Sequence, residues 1–373
     1  MCSFNSINRP MWLCGVLAFS LLSTAIVSGG ELERRYVQNG EGERAKPIVA
    51  VDNVCAWPNL TVLGDGTIVA TIHNQPSHLK VPADVECWAS KDGGRTWTKR
   101  GTPAPRDNAQ AARGHVAAGV ADNGDLIVIT TGWSDPASKS RGTIMPSIVS
   151  RSADGGRTWS IDAKAFPDKW PEVARSNASP NGCVVPFGDI LAGADGTLRV
   201  GFYGGTAGSG FVYRSRDDGK TWGEPVPLNK DVVIHEPALF HLGKGKWLVA
   251  ARLNGLDLHT SDDDAKTWTH RQKLTGTQQH PGHFARLKDG RVLVTYGNRL
   301  VPKGVDVRFS NDEGTTWTEP LRVVDFEGDG GYPSSVQLPN GQVLTAYYAR
   351  RIASHDRYHM GVVLWDPATT RHR

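Results

Sequence analysis

The sequence predicts an all-β protein, a six-bladed β-propeller, and three observations lead to this fold class. A Ser-x-Asp-x-Gly-x-Thr-Trp octapeptide occurs five times, a second turn pattern occurs six times, and no convincing amphipathic helix follows residue 30. The 373 residues are 39% hydrophobic and 21% charged. A chain of this length and composition can bury a substantial core.

The octapeptide begins at residues 90, 152, 215, 261 and 310, and only the fourth copy departs from the pattern, with Ala265 in place of glycine. Its Asp and Ser side chains are expected to bond backbone amides within a turn. The glycine supplies a positive φ, and the tryptophan anchors the turn on a sheet. We therefore interpret these residues as structural.

The second pattern places Asp-Gly or similar pairs between strand-like runs, as in "LGDGTIVA" and "LPNGQVLTAYY", and predicts tight hairpins. Together the two patterns give units of four short strands, which are typical of propeller blades. The sixth unit lacks the Asp motif, and "YHMGVVLWDP" is expected to be its third strand. A strand from "RRYVQ" or "PIVAV" near the N-terminus is expected to close the ring, which removes exposed sheet edges.

The first 30 residues form a separate element. An arginine precedes an apolar run over residues 11–27, which predicts a signal peptide over 1–30 and a single propeller domain over 31–373. An uncleaved membrane anchor is the alternative. The signal peptide indicates a secreted or periplasmic protein. Past it, no segment is apolar enough to cross a membrane. A net charge of +4 without a basic run argues against binding to nucleic acid.

Three cysteines remain after the signal peptide: Cys55, Cys87 and Cys183. Cys55 falls on the first strand of its unit and Cys87 on the third. Strands two apart are separated by about 9.6 Å. That separation exceeds the limit of roughly 7 Å for a disulfide. We therefore expect both thiols to be free.

The strand order also sorts residues between two faces. Both kinds of turn lie on one face, whereas the starts of the inner strands and the loops after the second strands surround the channel mouth on the other. Several arginines fall on this second face, which indicates an anionic ligand because guanidinium binds carboxylate in a bidentate fork. The candidates there are Trp57, Asp84, Arg113, His115, Trp133, Tyr203, His235, Glu236, Arg252, His280, His283, Arg299, Tyr332 and Arg351.

Five Asp motifs on such a plan resemble the sialidase (neuraminidase) superfamily of Asp-box, or BNR, repeat proteins. The resemblance extends to Glu236 and Arg252, sixteen residues apart in "HEPALFHLGKGKWLVAAR". It also extends to Arg299, just before the last Asp motif, and to Tyr332 at the start of the last unit. It implies a glycoside hydrolase that releases terminal sialic acid or a related acidic sugar, with Tyr332 as nucleophile and Glu236 as its base.

The chemistry fits these residue types. The anomeric carbon of sialic acid carries a carboxylate, which would repel a carboxylate nucleophile but not a neutral tyrosine. The reference pKa of tyrosine is about 10, so the hydroxyl needs a base such as Glu236. The resemblance implies a leaving-group acid in the first unit's loop, where Asp84 is the first choice and Glu86 the second.

The remaining expectations concern substrate binding. Arg252 and Arg299 are expected to bind the substrate carboxylate, and we expect no cofactor and no metal. The other substrate-binding candidates are Arg113, Arg351, His235, His283, Trp133 and Tyr203.

One position departs from the resemblance. In "CAWPNLTVL", Ala56 stands where an arginine is implied, and Arg113 or Arg351 is a possible replacement. Losing one bidentate pair removes a contact of roughly 1.5 to 3 kcal/mol.

Alternatives therefore remain open. One is a propeller enzyme of other chemistry, such as a polysaccharide lyase or a His-dependent glycosidase acting on acidic glycans. Another is a non-catalytic propeller that binds glycan or protein, in which no Tyr332–Glu236 pair within hydrogen-bond reach is needed. A third is a metal site formed by His235, His280 and His283.

Overall fold

The structure, a computed structural model, describes residues 34–370, and the predicted signal peptide lies outside them. The described residues belong to one compact unit, Arg34–Arg373. Regular structure in this part of the chain consists of strands and two short 3-10 turns, Glu172–Ala174 and Pro367–Thr370. None of its helices is long and apolar enough to cross a membrane. The all-β prediction is confirmed.

Four sheets have four strands each. The first contains β2 (Asn59–Val62), β3 (Ile68–His73), β4 (Val85–Ser90) and β5 (Thr98–Ala104). The next two contain β14 (His235–Gly243), β15 (Lys246–Arg252), β16 (Leu256–Ser261) and β17 (Thr269–Lys273), then β18 (Gln279–Arg286), β19 (Val292–Asn298), β20 (Gly304–Ser310) and β21 (Leu321–Asp325). The last contains β22 (Gly330–Gln337), β23 (Val343–Ile352), β24 (His355–Trp365) and β1 (Pro47–Asp52).

The fifth sheet has eight strands in the order β13-β12-β11-β10-β6-β7-β8-β9. Its first half along the chain is β6 (Ala112–Val120), β7 (Leu126–Trp133), β8 (Ile148–Ser152) and β9 (Ser160–Asp162). The second half is β10 (Val185–Ala192), β11 (Leu198–Tyr203), β12 (Gly210–Ser215) and β13 (Gly223–Pro227). The expectation of six blades is wrong, because the strands form four propeller-like sheets and this one larger sheet.

Close backbone approach explains why the larger sheet is continuous. β10 pairs with β6 in parallel through Gly188 with Ala117 and Asp189 with Ala118. A Cβ at Gly119 would lie 2.3 Å from the carbonyl oxygen of Ile190, so only glycine admits this contact. Small side chains on facing strands therefore let two four-stranded runs join by hydrogen bonds.

The last sheet contains strands from both ends of the described chain. β1 pairs antiparallel with β24, beginning at Pro47 opposite Val363, and β24 is the third strand of its sheet. The expectations for "PIVAV" and "YHMGVVLWDP" are confirmed. Tyr36, from "RRYVQ", forms only an isolated bridge with Arg322.

The Asp motifs form the expected turns. In the first copy, Ser90 Oγ donates to Asp92 Oδ1 at 2.8 Å, and Thr96 Oγ1 donates to Asp92 Oδ2 at 2.6 Å. The indole of Trp97 donates to the Gly94 carbonyl at 2.9 Å. In the fourth copy, Ala265 adopts a φ of 63° where the others use glycine. These turns are structural, as the sequence predicts.

All three cysteines in the described part of the chain are free and buried: Cys55, Cys87 and Cys183. The predicted absence of a Cys55–Cys87 disulfide is confirmed. Burial raises the pKa of the Cys87 thiol to about 12, so the group is a neutral packing side chain.

Candidate active site

A central cavity lies where the inner strands β2, β6, β10, β14, β18 and β22 meet. Its lining combines aromatic rings with a few polar groups, and Glu236 is its carboxylate. The principal lining residues are Trp57, Asn59, His115, Phe187, Tyr203, Glu236, His283 and Tyr332. Inner-strand starts therefore surround the cavity, which is the face that the sequence predicts for the site.

Tyr332 and Glu236 form a direct hydrogen bond inside this cavity, in which Tyr332 Oη donates to Glu236 Oε1. Arg252 Nη1 donates to the other carboxylate oxygen, Oε2, at 2.7 Å, and lies 3.4 Å from Tyr332 Oη. Glu236 is only 5% exposed. The structure thus brings together the three residues that the resemblance to sialidases singles out on β14, β15 and β22.

The backbone that presents these side chains is unusual. Trp57, Glu236 and Tyr332 have φ values of 42°, 43° and 50°, in the left-handed region that favours glycine. Register shifts in β14 and β22 accompany the last two. Such bulges re-aim side chains and are common beside active sites. Non-glycine residues held there cost of order 1–3 kcal/mol each and cluster at functional sites.

Electrostatics keep Tyr332 protonated at rest. Burial and the neighbouring Glu236 carboxylate raise its pKa well above the ordinary value, and Arg252 opposes this shift. The hydroxyl therefore donates to Glu236 and becomes anionic only when the carboxylate takes its proton. Arg252 then lies beside the developing phenolate.

Arg299 lies near the ring of Tyr332. Its guanidinium carbon lies 5.9 Å from the centre of the Tyr332 ring. Arg299 Nη1 contacts His280 Nδ1 at 2.9 Å and also donates to the His280 carbonyl. Burial and the cations Arg252 and Arg299 lower the pKa of His280 to about 3. His280 is therefore a neutral acceptor that orients Arg299.

The other predicted histidines and Tyr203 also lie near the cavity. His283 is buried, its Nδ1 accepts from the Ser335 amide at 3.2 Å, and its Nε2 lies 3.2 Å from Asp189. Tyr203 packs edge-on against His235 with ring centres 5.6 Å apart. Among residues 34–370, the histidines of the metal alternative do not form a group of close ligand atoms.

Four other predicted site residues do not line the cavity, and two of them are arginines. Arg113 is engaged by Asp107 through two 2.9 Å bonds and by the Pro146 carbonyl at 2.9 Å. Arg351 is exposed on the last sheet and is not a lining residue of the cavity.

Trp133 and Asp84 also lie apart from the cavity lining. Trp133 packs beneath Arg141, whose guanidinium carbon is 5.3 Å from the ring centre. Asp84 accepts from the Arg106 amide at 2.8 Å. The second choice for the acid, Glu86, bonds Lys99 at 2.7 Å and the Trp88 indole at 2.9 Å.

The structure also explains why an alanine occupies position 56. Its side chain is fully buried, and its carbonyl accepts from the His73 amide at 2.8 Å. The next residue, Trp57, enters the cavity and stacks on His73 with ring centres 5.1 Å apart. An indole therefore stands beside the nucleophile candidate, where the resemblance implies a guanidinium.

A cluster that the sequence does not predict lies next to Trp57. His78 Nε2 is hydrogen-bonded to Asp329 Oδ2, and the hydroxyls of Tyr348 and Tyr358 donate to the same oxygen at 3.0 and 3.1 Å. Asp329 lies only three residues before Tyr332, and His78 lies in the loop expected to supply the acid. Those two positions are the only sequence signals for the cluster.

The same cluster includes the one group within residues 34–370 whose potential metal ligands converge: Cys55, His78 and Asp329, with ligand atoms within 4.8 Å. The imidazole and the carboxylate are bonded to each other, and burial raises the pKa of the Cys55 thiol well above its usual range. We therefore interpret the group as a hydrogen-bonded cluster.

The chain is similar to known proteins in sequence family and in fold. A family model described as "BNR repeat-like domain" matches residues 58–344. A search of curated proteins found no match. Among solved structures, a Dyadobacter fermentans protein of unknown function is similar, with a TM-score of 0.72 and 22% identity over 86% of this chain and 98% of that chain.

Solved structures of sialidases are also similar to this chain, at lower sequence identity. The Trypanosoma rangeli sialidase bound to the inhibitor DANA gives a TM-score of 0.64 and 16% identity, over 89% of this chain and 58% of that one. A mutant NanB sialidase from Streptococcus pneumoniae gives 0.63 and 13%, over 86% and 69%. At these identities the likeness establishes the fold.

Proposed function

Because the chain belongs to the BNR repeat-like domain family, we propose that it is a sialidase-type glycoside hydrolase that releases a terminal sialic acid or a related acidic sugar. The observation that carries this proposal is the hydrogen bond between Tyr332 and Glu236, with Arg252 on both groups. A propeller that only binds glycan or protein needs no such pair.

The first chemical step follows from the contacts. Glu236 takes the phenolic proton while Tyr332 Oη forms a bond to the anomeric carbon. The electron pair of the breaking bond goes to the leaving oxygen, which a general acid protonates. Arg252 stabilises the phenolate as charge develops on the oxygen. In the second step a water attacks the anomeric carbon and gives a proton to the conjugate base of the leaving-group acid, the Tyr332 bond breaks, and Glu236 returns its proton to Oη.

A carboxylate on the substrate would bind the two arginines that flank Tyr332. Arg252 uses Nη1 for Glu236 and Arg299 uses Nη1 for His280, so each guanidinium has a further edge to present. Within the described residues, Asn59 Oδ1 and Trp57 Nε1 lack hydrogen-bond partners although both residues line the cavity. A buried polar atom without a partner is costly, and this supports a polar ligand.

A second candidate substrate class is favoured by Trp57. Its indole, in place of a third guanidinium, weakens the case for sialic acid and favours another acidic sugar, such as a uronic acid, cleaved by hydrolysis or by elimination. The N-terminal apolar run supports a secreted or periplasmic enzyme acting on extracellular glycoconjugates, and a net charge of +4 without a basic run argues against nucleic acid as a partner.

The proposal is tested by trapping the covalent intermediate. The probe 2,3-difluorosialic acid, the ligand in a covalent-intermediate structure of the Trypanosoma rangeli sialidase, is incubated with the protein. We expect the mass of one glycosyl group on the peptide that contains Tyr332, and none on the Tyr332→Phe variant.

A panel of acidic oligosaccharides then separates the substrate classes. Release of free sialic acid supports the sialidase proposal. Unsaturated uronic-acid products, detected by their ultraviolet absorbance, would contradict it and favour a lyase. A lack of turnover together with saturable binding would favour a binding protein.

A further inference from the structure

The leaving group of a glycoside needs a proton, and none of the residues assigned so far supplies it. Asp84 Oδ1 accepts from the Arg106 amide, and Glu86 is bonded to Lys99, Asn74 and Trp88. Neither residue lines the cavity. The general acid must therefore be a different side chain close to the cavity.

His78 meets the geometric requirements. Its ring packs on Trp57 with centres 5.2 Å apart and on Tyr348 with centres 5.8 Å apart. Tyr332 packs on the same two rings at 6.0 and 5.8 Å. His78 and Tyr332 thus border one pair of aromatic rings, of which Trp57 lines the cavity. The His78 side chain is 40% exposed, so a ligand can reach it.

The surroundings of His78 fix the orientation of its ring. Its Nε2 is bonded to Asp329, which leaves Nδ1 for a ligand. Burial alone would raise the pKa of Asp329, but hydrogen bonds from His78, Tyr348 and Tyr358 lower it, so this carboxylate is ionised. Arg141 donates to the His78 carbonyl and holds the loop.

We propose that His78 is the catalytic acid that protonates the leaving-group oxygen, with Asp329 as the positioning residue that orients its ring. This inference rests on the proposed function of Tyr332 and Glu236. A histidine held by a carboxylate through one ring nitrogen and presenting the other to substrate is a common arrangement for proton transfer.

The proton balance is complete. As Tyr332 Oη bonds to the anomeric carbon, the electron pair of the breaking carbon–oxygen bond goes to the leaving oxygen, which takes the proton from His78 Nδ1. The product alcohol departs and leaves a neutral imidazole. In the second step that imidazole accepts a proton from the attacking water, which restores the imidazolium.

The test compares two leaving groups, because an acid matters only for a poor one. The substrates are a 4-methylumbelliferyl glycoside, whose phenolic leaving group departs without help, and a sialyl-lactose type glycoside, whose alcohol needs protonation. We expect His78→Gln to lose kcat/KM by about 100-fold or more on the second substrate and by less than about 10-fold on the first. Asp329→Asn should likewise lose more kcat/KM on the second substrate than on the first, with smaller losses than His78→Gln.

Asp84→Asn is the matched control from the same loop, and we expect equal, small effects of this variant on both substrates. Equal losses on both substrates in His78→Gln, or an asymmetric loss in Asp84→Asn instead, would overturn the assignment of His78 while leaving Tyr332 and Glu236 in place. A wild type inactive on both substrates, with no covalent trapping, would overturn the proposed function and this assignment with it.

Discussion

Replacing Tyr332 with phenylalanine isolates the single atom on which the proposed chemistry depends. The hydroxyl bonds Glu236 and lies 3.4 Å from Arg252, and the ring packs on Trp57 and Tyr348. Phenylalanine keeps those ring contacts. Glu236 keeps its 2.7 Å bond to Arg252, so the carboxylate is not left unpaired.

The two consequences of this change differ in size. A lost hydrogen bond to a charged group costs about 1.5–3 kcal/mol, and relief from burying a hydroxyl offsets part of it, so we expect unfolding free energy to fall by about 2 kcal/mol or less. Loss of a nucleophile costs far more, and we expect turnover to fall by at least about 10³-fold. That fall corresponds to about 4 kcal/mol of barrier.

The assay is hydrolysis of the 4-methylumbelliferyl sialoside, alongside urea denaturation of the same preparations. Tyr347→Phe is the control, since Tyr347 is a buried tyrosine outside the cavity lining that packs on His359. We expect it to keep most of the activity. Turnover by Tyr332→Phe close to that of wild type would refute the tyrosine mechanism.

Three further predictions concern binding, pH and folding. Arg299→Met should raise KM about 10- to 100-fold with a smaller change in kcat, because it removes a charge-assisted contact to the substrate carboxylate of about 1.5–3 kcal/mol; an unchanged KM would contradict this role. Burial lowers the pKa of His73 to about 4, below the unfolded value of about 6.5, so the unfolded chain binds protons first. The contribution of neutral, buried His73 to stability should therefore be complete above pH 6.5 and be lost as pH falls towards 4, so denaturation midpoints should fall less steeply with pH in His73→Gln than in the wild type. Ala265→Gly should raise the free energy of unfolding by about 1 kcal/mol because glycine adopts a positive φ without strain. Gly314→Ala, at the same position of the Asp motif, should lower the free energy of unfolding. The opposite sign for either variant in urea denaturation would contradict this account.

The features that sequence predicts here are local ones. The Asp motifs and hairpins are short-range hydrogen-bond patterns, so "DGG" and "NGQ" stretches suffice to locate turns and strands. Arg252 is opposite His235 across the hairpin of β14 and β15, and Glu236 is the next residue, so one hairpin brings Glu236 and Arg252 within hydrogen-bond reach.

The features that the sequence did not predict depend on contacts between segments that are far apart along the chain. The pairing of β6 with β10 requires Gly119 to meet Ile190, which no local pattern encodes. The loop over residues 74–84 orients its side chains through contacts with distant segments, so His78 bonds Asp329 and Asp84 accepts from the Arg106 amide. Likewise, the left-handed φ of Trp57 brings its indole into the cavity while Ala56 is buried.

The pairing of β1 with β24 has a consequence for how the chain reaches its folded state. The two strands come from opposite ends of the described sequence, so the last sheet gains its fourth strand only after residues 355–365 have left the ribosome. Contacts between such distant segments raise the contact order and slow folding. Until then β1 is an unpaired edge that can join another chain. Completion of the sheet that carries Tyr332 on β22 therefore waits until residues 355–365 have been synthesised.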